Sequence, residues 1–582
     1  MRDDLRELTI PFPTNLMATA QSPLALPTTY ARELTNMLLA PDGSGMKRNG
    51  LTPVGSALAG EAITALFSFQ HSSGLQLLCA TDAGKLYRQN GSAWHLLYSG
   101  LNPTGQPQAV LFGGKLVLCN GFDPLVHYDG ATVSVVERLV RDAGANLTLL
   151  GGTQFRLDSQ ATLYPTGSTV RLKVNGTDVL ATVQNASQSG VQTTVTLTAA
   201  VLAASLTEAW FTVRPPAFSQ LAVAHDRLWG FGAGGFGPSL GSGAERLRVY
   251  YTHGVNDPAA WPDPATGLIP SLNLADKAGV ADELLALRVK DGLTVFLGRN
   301  HLQLWEGTNP GTSTGGAATL GWVKTLPVGI VHPHAVLDLP NDLLLLTPLG
   351  ARTLARTLQT EQLDLADVGR ALDPTLATAV AGLLVSPAAY RRGMQALRCP
   401  AQQWFAWGFA EETLVWQLGA SGSGWARFIG GFAGLTAAHT APDGTLYLAK
   451  AGQVYRYDLT TFADAGAPIF TRWWLPWVNP AGTRRWANKY LEVLAVPQVV
   501  QPITLQRYAD LDDGNPRVLN LELPAPPDYW DSAAWDAALF DNATPPAARV
   551  RDHCVAERLA LALESHHTLP LRVLGLKLYG IS

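Results

Sequence analysis

Charge is scarce in this chain: Lys, Arg, Asp and Glu make up 15% of its 582 residues, against about 25% in an ordinary globular protein. The formal balance of −4 is close to neutral for such a length. No broad basic face is available to grip phosphate backbones, and nucleic-acid binding of that kind is excluded. Long apolar runs are missing as well. No stretch approaches the roughly 18 to 20 residues that span a bilayer, and the start, Met1-Arg2-Asp3-Asp4-Leu5-Arg6-Glu7, has acidic residues where a secretory signal has an apolar segment. These absences predict a protein made in a cytoplasm and not inserted in a membrane. Cysteine is rare, and Cys79, Cys119, Cys399 and Cys554 lie far apart with no Cys-x-x-Cys pair. That excludes the common zinc frameworks and predicts buried free thiols in a reducing compartment.

What is present points to strands. The 56 glycines and 38 prolines supply turns, and the 16 tryptophans suit aromatic-faced sheets better than solvated helices. The expected fold class is all-β. A chain this long exceeds the roughly 250 to 300 residues that one core sustains, so two to four domains are expected.

Residues 1–60 read as an N-terminal arm with too little apolar area to fold alone. An amphipathic helical turn or two is predicted over Tyr30–Leu39, ended by Pro41-Asp42-Gly43. From residue 61 a module recurs: an apolar strand, a turn, then a strand ending in an aromatic. Copies are Leu77–Thr81 with Lys85–Tyr87, Leu116–Cys119 with Val126–Tyr128, and Leu293–Leu297 with Leu302–Trp305. Further copies are Leu343–Leu346 with a partner after Gly350, Trp404–Trp407 with Leu414–Trp416, and Thr445–Leu448 with Val454–Tyr457. One hairpin cannot cover both its faces, whereas several arranged radially bury their flat sides on each other, so a degenerate β-propeller of about six to eight blades is predicted. Its first part covers 61–140 and the remainder 217–460. Between them, 141–216 alternates with period two around Ser168–Gly176 and Thr193–Thr198, with Asn175-Gly176 as a hairpin turn. This predicts a small inserted β-domain at the periphery. A short helix is expected over Asp373–Leu384, where Asp and Pro stand as starters. Residues 461–582 read as a C-terminal β-sandwich-like domain.

No candidate chemistry survives its own requirements. Gly232-Ala233-Gly234-Gly235-Phe236-Gly237 fits a dinucleotide fingerprint and Gly237-Pro238-Ser239-Leu240-Gly241 a nucleophile elbow. Both motifs need a helix to follow, and here Pro238 and further glycines lead into another strand. Asp510, Asp512 and Asp513 resemble a calcium loop, yet Gly514 takes a ligand position and no Glu stands at the twelfth, so a turn is expected. His332-Pro333-His334 and His566-His567 lack recognisable partner ligands, and neighbouring His residues on a strand would face opposite ways. The group Trp473, Trp474 and Trp477 is a candidate partner interface or sugar platform, against the plainer reading of core packing. A sialidase-like or lectin-like propeller would repeat carboxylates or arginines at its blade tops, and no such set is found. The chain therefore reads as a non-enzyme, with no catalytic residue, cofactor or metal assigned.

Several segments carry a family likeness in their order: Asn36–Leu39 then Gly45-Met46-Lys47-Arg48-Asn49-Gly50, Ala80-Thr81 with Gly84–Tyr87, and Asn120–Pro124. After them come His225-Asp226-Arg227-Leu228-Trp229 leading to Val249–Thr252, Asn256–Trp261, Gly329–Val336, Asn341-Asp342 and Thr347–Gly350. Over residues 30–460 the chain resembles the propeller-type tail nozzle or hub proteins of short-tailed bacteriophages, the tail tubular protein B-like family. That family tends to show Arg-Pro-Gly where this chain has Arg48-Asn49-Gly50. The resemblance implies a structural virion protein: a hexameric ring below the portal and adaptor, a conduit for DNA exit, and an attachment point for fibres, spikes or a plug. Genomic DNA would pass its lumen without specific binding. A carbohydrate-binding or glycan-degrading propeller is the rival reading, and a cellular scaffold propeller a third.

Overall fold

The computed structural model describes residues 5–581 apart from 73, 201–204, 233–245, 265–266, 280, 312–317, 360–367, 420–421, 483–484, 497–498 and 525–546. Among the described residues seven small antiparallel sheets follow one another along the chain, with one further domain inserted after the second. Blade one is Ile63–His71, Gly74–Thr81, Lys85–Asn90 and Ala93–Ser99, and blade two runs from Gln108–Phe112 to Val133–Val135. Blades three and four run from Gln220–Ala224 to Ser271–Asn273 and from Leu284–Lys290 to Gly321–Leu326. Blade five has three strands, Val336–Asp338, Leu343–Thr347 and Gly350–Thr353, followed by the short helix Leu354–Gln359. Blade six runs from Gln395–Cys399 to Gly422–Phe428. Blade seven combines Ala437–Thr440, Leu446–Lys450 and Gln453–Asp458 with Gly50–Val54 from the chain start, which pairs antiparallel with Gln453–Asp458 from Val454↔Val54 to Asp458↔Gly50. Gly50–Val54 thereby completes the last blade, and the innermost strand of blade seven lies against that of blade one. The fold is all-β, a seven-bladed β-propeller with two further β-domains, and its geometry removes all but short sheet edges.

Apolar strands with aromatic ends supply the packing between blades. Trp229 of blade three meets Phe296 of blade four edge to face at 6.2 Å, and Phe296 meets Trp305 at 6.0 Å. Trp404 and Phe428 of blade six, Phe432 of the turn that follows it and Tyr457 of blade seven form a second such group at 5.1–6.2 Å. Each pair adds about 0.5–1.5 kcal/mol beyond its buried area. Blade three escaped the recurring pattern because its second strand, Arg227–Phe231, mixes Arg and Gly with its aromatics. Its hairpin is nonetheless locally encoded: His225 and Asp226 both take positive φ, 52° and 58°, the two-residue turn that matches strand twist.

The inserted domain spans Arg138–Val213 as a seven-stranded sheet around Phe155, Tyr164, Val170, Leu172 and Phe211. Asn175 and Gly176, at φ 52° and 77°, make its central hairpin, Val174↔Thr177. The C-terminal strands form two facing layers. One holds Arg517–Leu523, Gln501–Ala509, Leu559–His567, Ala467–Trp474 and Glu33–Thr35; the other holds Ala547–Ala556, Trp486–Ala495, Arg572–Ile581 and the Gly45–Lys47 hairpin, with Arg6–Pro11 on Arg572–Ile581. Leu491, Val493, Leu505, Leu561, Leu563, Leu576 and Leu578 alternate into the space between them, all at most 1% exposed.

The helical turn predicted over Tyr30–Leu39 is corrected to two strands, Glu33–Thr35 and Met37–Leu39. Asn36 between them has φ 54°, which no helix accommodates. Leu34, Met37, Leu38 and Leu39 are instead consumed by burial, and the first strand pairs with Arg472–Trp474. Residues 5–60 are thus woven into the sandwich and blade seven, not an arm laid over them. The predicted helix at Asp373 is present over Asp373–Leu383. Among the described residues no helix is long and apolar enough to cross a membrane.

Candidate functional site

The innermost strands of the blades surround an axial chamber of about 540 Å³ to which every blade contributes. Blade one gives Thr64–Phe67, blade two Gln106–Val110, blade three Gln220–Val223 and blade four Leu287–Val289. Blades five, six and seven give Pro333 with His334, Gln395, and Ala437–His439. Amides collect at one end because Gln108, Gln220 and Gln395 are each the first residue of an innermost strand, with Gln106 two residues before the blade-two strand. Gln106 Nε2 donates to Thr64 O at 2.8 Å, joining blades two and one, and Gln395 Nε2 donates to Thr436 O at 3.2 Å, joining six and seven. Gln108 Nε2 lies 3.5 Å from His334 Nε2.

The same end is crossed by a short helix, Pro387–Arg392. Ser386 caps it, its Oγ accepting from Ala389 N at 3.1 Å, and Pro387 opens it. Arg391 and Arg392 donate to Thr104 O at 3.1 Å and Pro103 O at 2.7 Å beside blade two. Tyr390 accepts from Arg299 on the blade-four side at 2.9 Å, and its ring packs on His332. The helix therefore closes one mouth. At the opposite rim Leu111, Val223 and Val289 are 54%, 44% and 43% exposed, so that mouth opens to solvent.

The chamber is electrically quiet. Its lining among the described residues contains no carboxylate. Burial holds His439 down, to about 4, with the Arg398 charge acting the same way, and its Nε2 sits 2.7 Å from Ser68 Oγ. Burial likewise lowers His334, whose Nδ1 is 3.0 Å from Met394 O; a carbonyl there places the proton on Nδ1 and leaves Nε2 an acceptor toward Gln108. Arg288 is the single cation of the lining, and its Nε lies 3.5 Å from Asp338. Gln106 Oε1 and Gln220 Nε2 are buried at the closed end without a hydrogen-bond partner among the described residues.

The residues singled out in the sequence lie elsewhere, with one exception. Trp473 is fully buried and Trp477 is 8% exposed, while Trp474 is half-buried under Arg32 and Arg472 at 4.0 and 4.3 Å and stacked on Tyr508. These three tryptophans are packing residues of the C-terminal domain, which corrects the candidate partner interface: alternation along the strand turns Trp473 into the core, and arginines cover Trp474. The two glycine-rich motifs fall, beyond Gly232, outside the described residues. In the aspartate cluster each carboxylate is already used: Asp510 accepts from Glu557 N and Arg558 N, Asp512 from Gly514 N, and Asp513 pairs with Arg32 at 2.7 Å. His332 and His334 are not on a strand; a 3-10 turn over Pro333–Ala335 brings their rings to 5.2 Å, with His332 Nδ1 accepting from His334 N. His334 is the one flagged residue that lines the chamber. The glutamines went unnoticed because amide residues carry no chemical signature, and only their shared position, at or just before the start of an innermost strand, marks them.

Two residues of the family likeness form a second buried polar site. Arg48 is fully buried; its guanidinium binds Asp464 through two bonds of 2.9 and 2.6 Å, donates to Asn36 Oδ1, Asn49 O and Ile429 O, and lies over the Phe432 ring at 4.7 Å. Asn36 Nδ2 donates to Phe470 O. This cluster ties the chain start to blades six and seven and to the sandwich.

The fold and chamber define a β-propeller with an axial pocket closed at one end. No protein-family model matches the chain, and no curated protein matches it. Solved structures similar to it include BamB from Moraxella catarrhalis, at 11% identity and TM-score 0.31 over 78% of this chain and 97% of that one. The phage phi92 endosialidase, at 11% and 0.28, covers 76% of each chain, and the Neurospora crassa Pan2 WD40 domain, at 10% and 0.26, covers 71% of this chain and 97% of that one. At such scores nothing about function rests on them.

Proposed function

We propose that the chain is a structural protein of a short bacteriophage tail, the nozzle or hub, assembled as a ring of six in the virion. The observation that carries this reading is where the residues of the family likeness use their chemistry. Arg48 and Asn36 hold the chain start to the last two blades. His225 Nε2 meets Thr294 Oγ1 at 2.7 Å, bridging blades three and four, and Trp261 is fully buried. A Cβ on Gly329 would lie 2.0 Å from Arg299 O at the joint of blades four and five. Arg48, Asn36, His225 and Gly329 serve joints, as a scaffold requires, while Pro333 and His334 of the same likeness line the chamber.

The propeller axis itself is no DNA conduit. A chamber of about 540 Å³ closed at one end cannot admit a duplex whose major groove alone is about 12 Å wide. The lumen of the proposed ring therefore lies between subunits, with the inserted and C-terminal domains as the surfaces for neighbouring subunits, portal or adaptor, fibre, spike or plug. The near-neutral balance of −4 suits a wall past which DNA slides. Negative-stain microscopy and mass photometry of the purified protein, with antibody labelling of virions, test the reading: rings and label at the tail are expected, and monomers alone with an unlabelled tail refute it. A polysaccharide-degradation assay is expected to be silent, since glycoside hydrolysis ordinarily uses paired carboxylates.

A further inference from the structure

We infer that a groove at the closed face of the propeller seats the outer edge of blade four from a second copy of this chain, with Trp322 as the apolar anchor and Lys324 facing Glu411 and Glu412. The groove holds about 640 Å³, within the roughly 300–1,000 Å³ of ordinary ligand pockets. Helix Asp373–Leu383 forms one wall through Ala379 and Leu383, Ala389 and Gly393 leave it deep, and the blade-six turn of Phe409 to Glu412 forms the other wall. Leu384 and Val385, next along the chain, are 63% and 81% exposed and continue its apolar surface. Charge at the lip decides what can cover it. Glu411 is exposed and has no ion pair among the described residues, and the nearest cation to half-buried Glu412 is Arg427 at 3.8 Å, itself held by Glu33 at 2.7 Å. Burial pushes the Glu412 carboxyl up against the pull of Arg427, and the Glu411 and Glu33 charges push it the same way. An apolar groove rimmed by poorly compensated carboxylates is the complement of an apolar side chain beside a cation.

The chain itself carries such a group. Among the described residues three adjacent pairs of large apolar side chains are exposed: Leu384-Val385 on the groove, Val499-Val500 flanked by glutamines, and Trp322-Val323 followed by Lys324. Trp322 and Val323 are 44% and 49% exposed on the outermost strand of blade four, whose free edge has no pairing strand among the described residues. Trp322 Nε1 donates to Thr325 Oγ1 at 3.0 Å and Lys277 Nζ stands 5.3 Å from its ring, so the indole is already held in place with a second ammonium beside it. Tryptophan is among the residues that dominate protein interfaces when buried. Knob and groove cannot meet within one chain. Pairing runs Val289↔Thr294↔Trp305↔Trp322 and sets Trp322 level with the open rim, whereas Gly408, just before the groove's turn, pairs with Gln395 at the closed end. The contact therefore joins opposite faces of successive copies head to tail, which gives a closed ring or an open stack according to the rotation per step. It rests on the proposed ring for the presence of neighbouring copies and adds a propeller contact to the surfaces given there.

The test is mass photometry and sedimentation of the full chain over a concentration series, with zero-length carbodiimide cross-linking of mixed light and isotope-labelled chains. Concentration-dependent association is expected, with a Lys324–Glu411 or Lys324–Glu412 link between light and heavy chains. Trp322→Ala, Lys324→Glu and Glu411→Lys, with unchanged circular dichroism, should each weaken association at least tenfold. An equimolar mixture of Lys324→Glu with Glu411→Lys should pair again, because the intact edge of one meets the intact groove of the other. If a variant fails to fold, the cross-link in the unaltered chain decides. A chain that stays monomeric at every concentration while the virion tail is labelled overturns the contact and leaves the nozzle reading standing, as does association indifferent to all three substitutions. Loss of association with Glu411→Lys alone gives the groove a different basic occupant and also overturns it. An unlabelled tail beside the expected cross-link refutes the nozzle and spares the contact.

Discussion

Removing Arg48 should undo the closure of the propeller, and the size of the effect can be worked out from its contacts. The guanidinium is fully buried and Asp464 is 14% exposed, with two bonds of 2.9 and 2.6 Å between them. Breaking a buried pair by deleting one partner costs about 3–5 kcal/mol, because the other charge stays desolvated. Arg48→Ala also takes one donor from each of Asn36 Oδ1, Asn49 O and Ile429 O and should fall at the upper end. Asp464→Ala leaves Arg48 its three neutral acceptors and should fall at the lower end. The double variant should be less damaged than the sum, with a coupling of about 2 kcal/mol or more, since the isolated charge is gone. Because a chain of several domains does not unfold in one step, the readout is local: hydrogen exchange of the Gly50–Val54 amides, whose opening energy should drop by these amounts, with protease cleavage near residues 40–60 as a second measure. Additivity within about 0.5 kcal/mol, or single losses below about 1 kcal/mol, would refute the reasoning.

Other consequences follow from packing and protonation. Gly50→Ala places a Cβ 2.0 Å from Ala463 O and should cost roughly 1–3 kcal/mol or more, seen as faster exchange in the same strand. Trp473→Ala should cost about 3–5 kcal/mol in urea unfolding of the C-terminal domain; a folded variant of unchanged stability that loses a tail partner would restore the interface reading. His439 has a folded value near 4, below the ordinary 6.5, so the unfolded chain takes up the proton first. Stability should therefore be complete above pH 6.5 and decline as pH falls toward 4, by up to about 3 kcal/mol. Unfolding midpoints across that range should flatten in His439→Asn. Cys79, Cys119 and Cys399 are buried, with burial pushing their thiols up, so iodoacetamide on the native chain should label at most Cys554, as peptide mass mapping would show.

What the sequence alone determined is whatever local pattern and turn chemistry encode. The all-β class, six of the seven blades, the Asn175-Gly176 hairpin and the helix at Asp373 were all legible, because apolar strands bounded by Gly, Asn and Asp specify hairpins from short range. Tertiary structure decided the rest. Residues 33–39 are strands and not a helix, because pairing with Arg472–Trp474 and the left-handed Asn36 override their spacing. Blade count and closure depended on Gly50–Val54 reaching Gln453–Asp458, some 400 residues away, a distance no local pattern records. Trp473 left the surface because the opposing sandwich layer covers it. The chamber was invisible for the same reason: Gln106, Gln220 and Gln395 are ordinary amides until seven strands from distant parts of the chain set them around one axis.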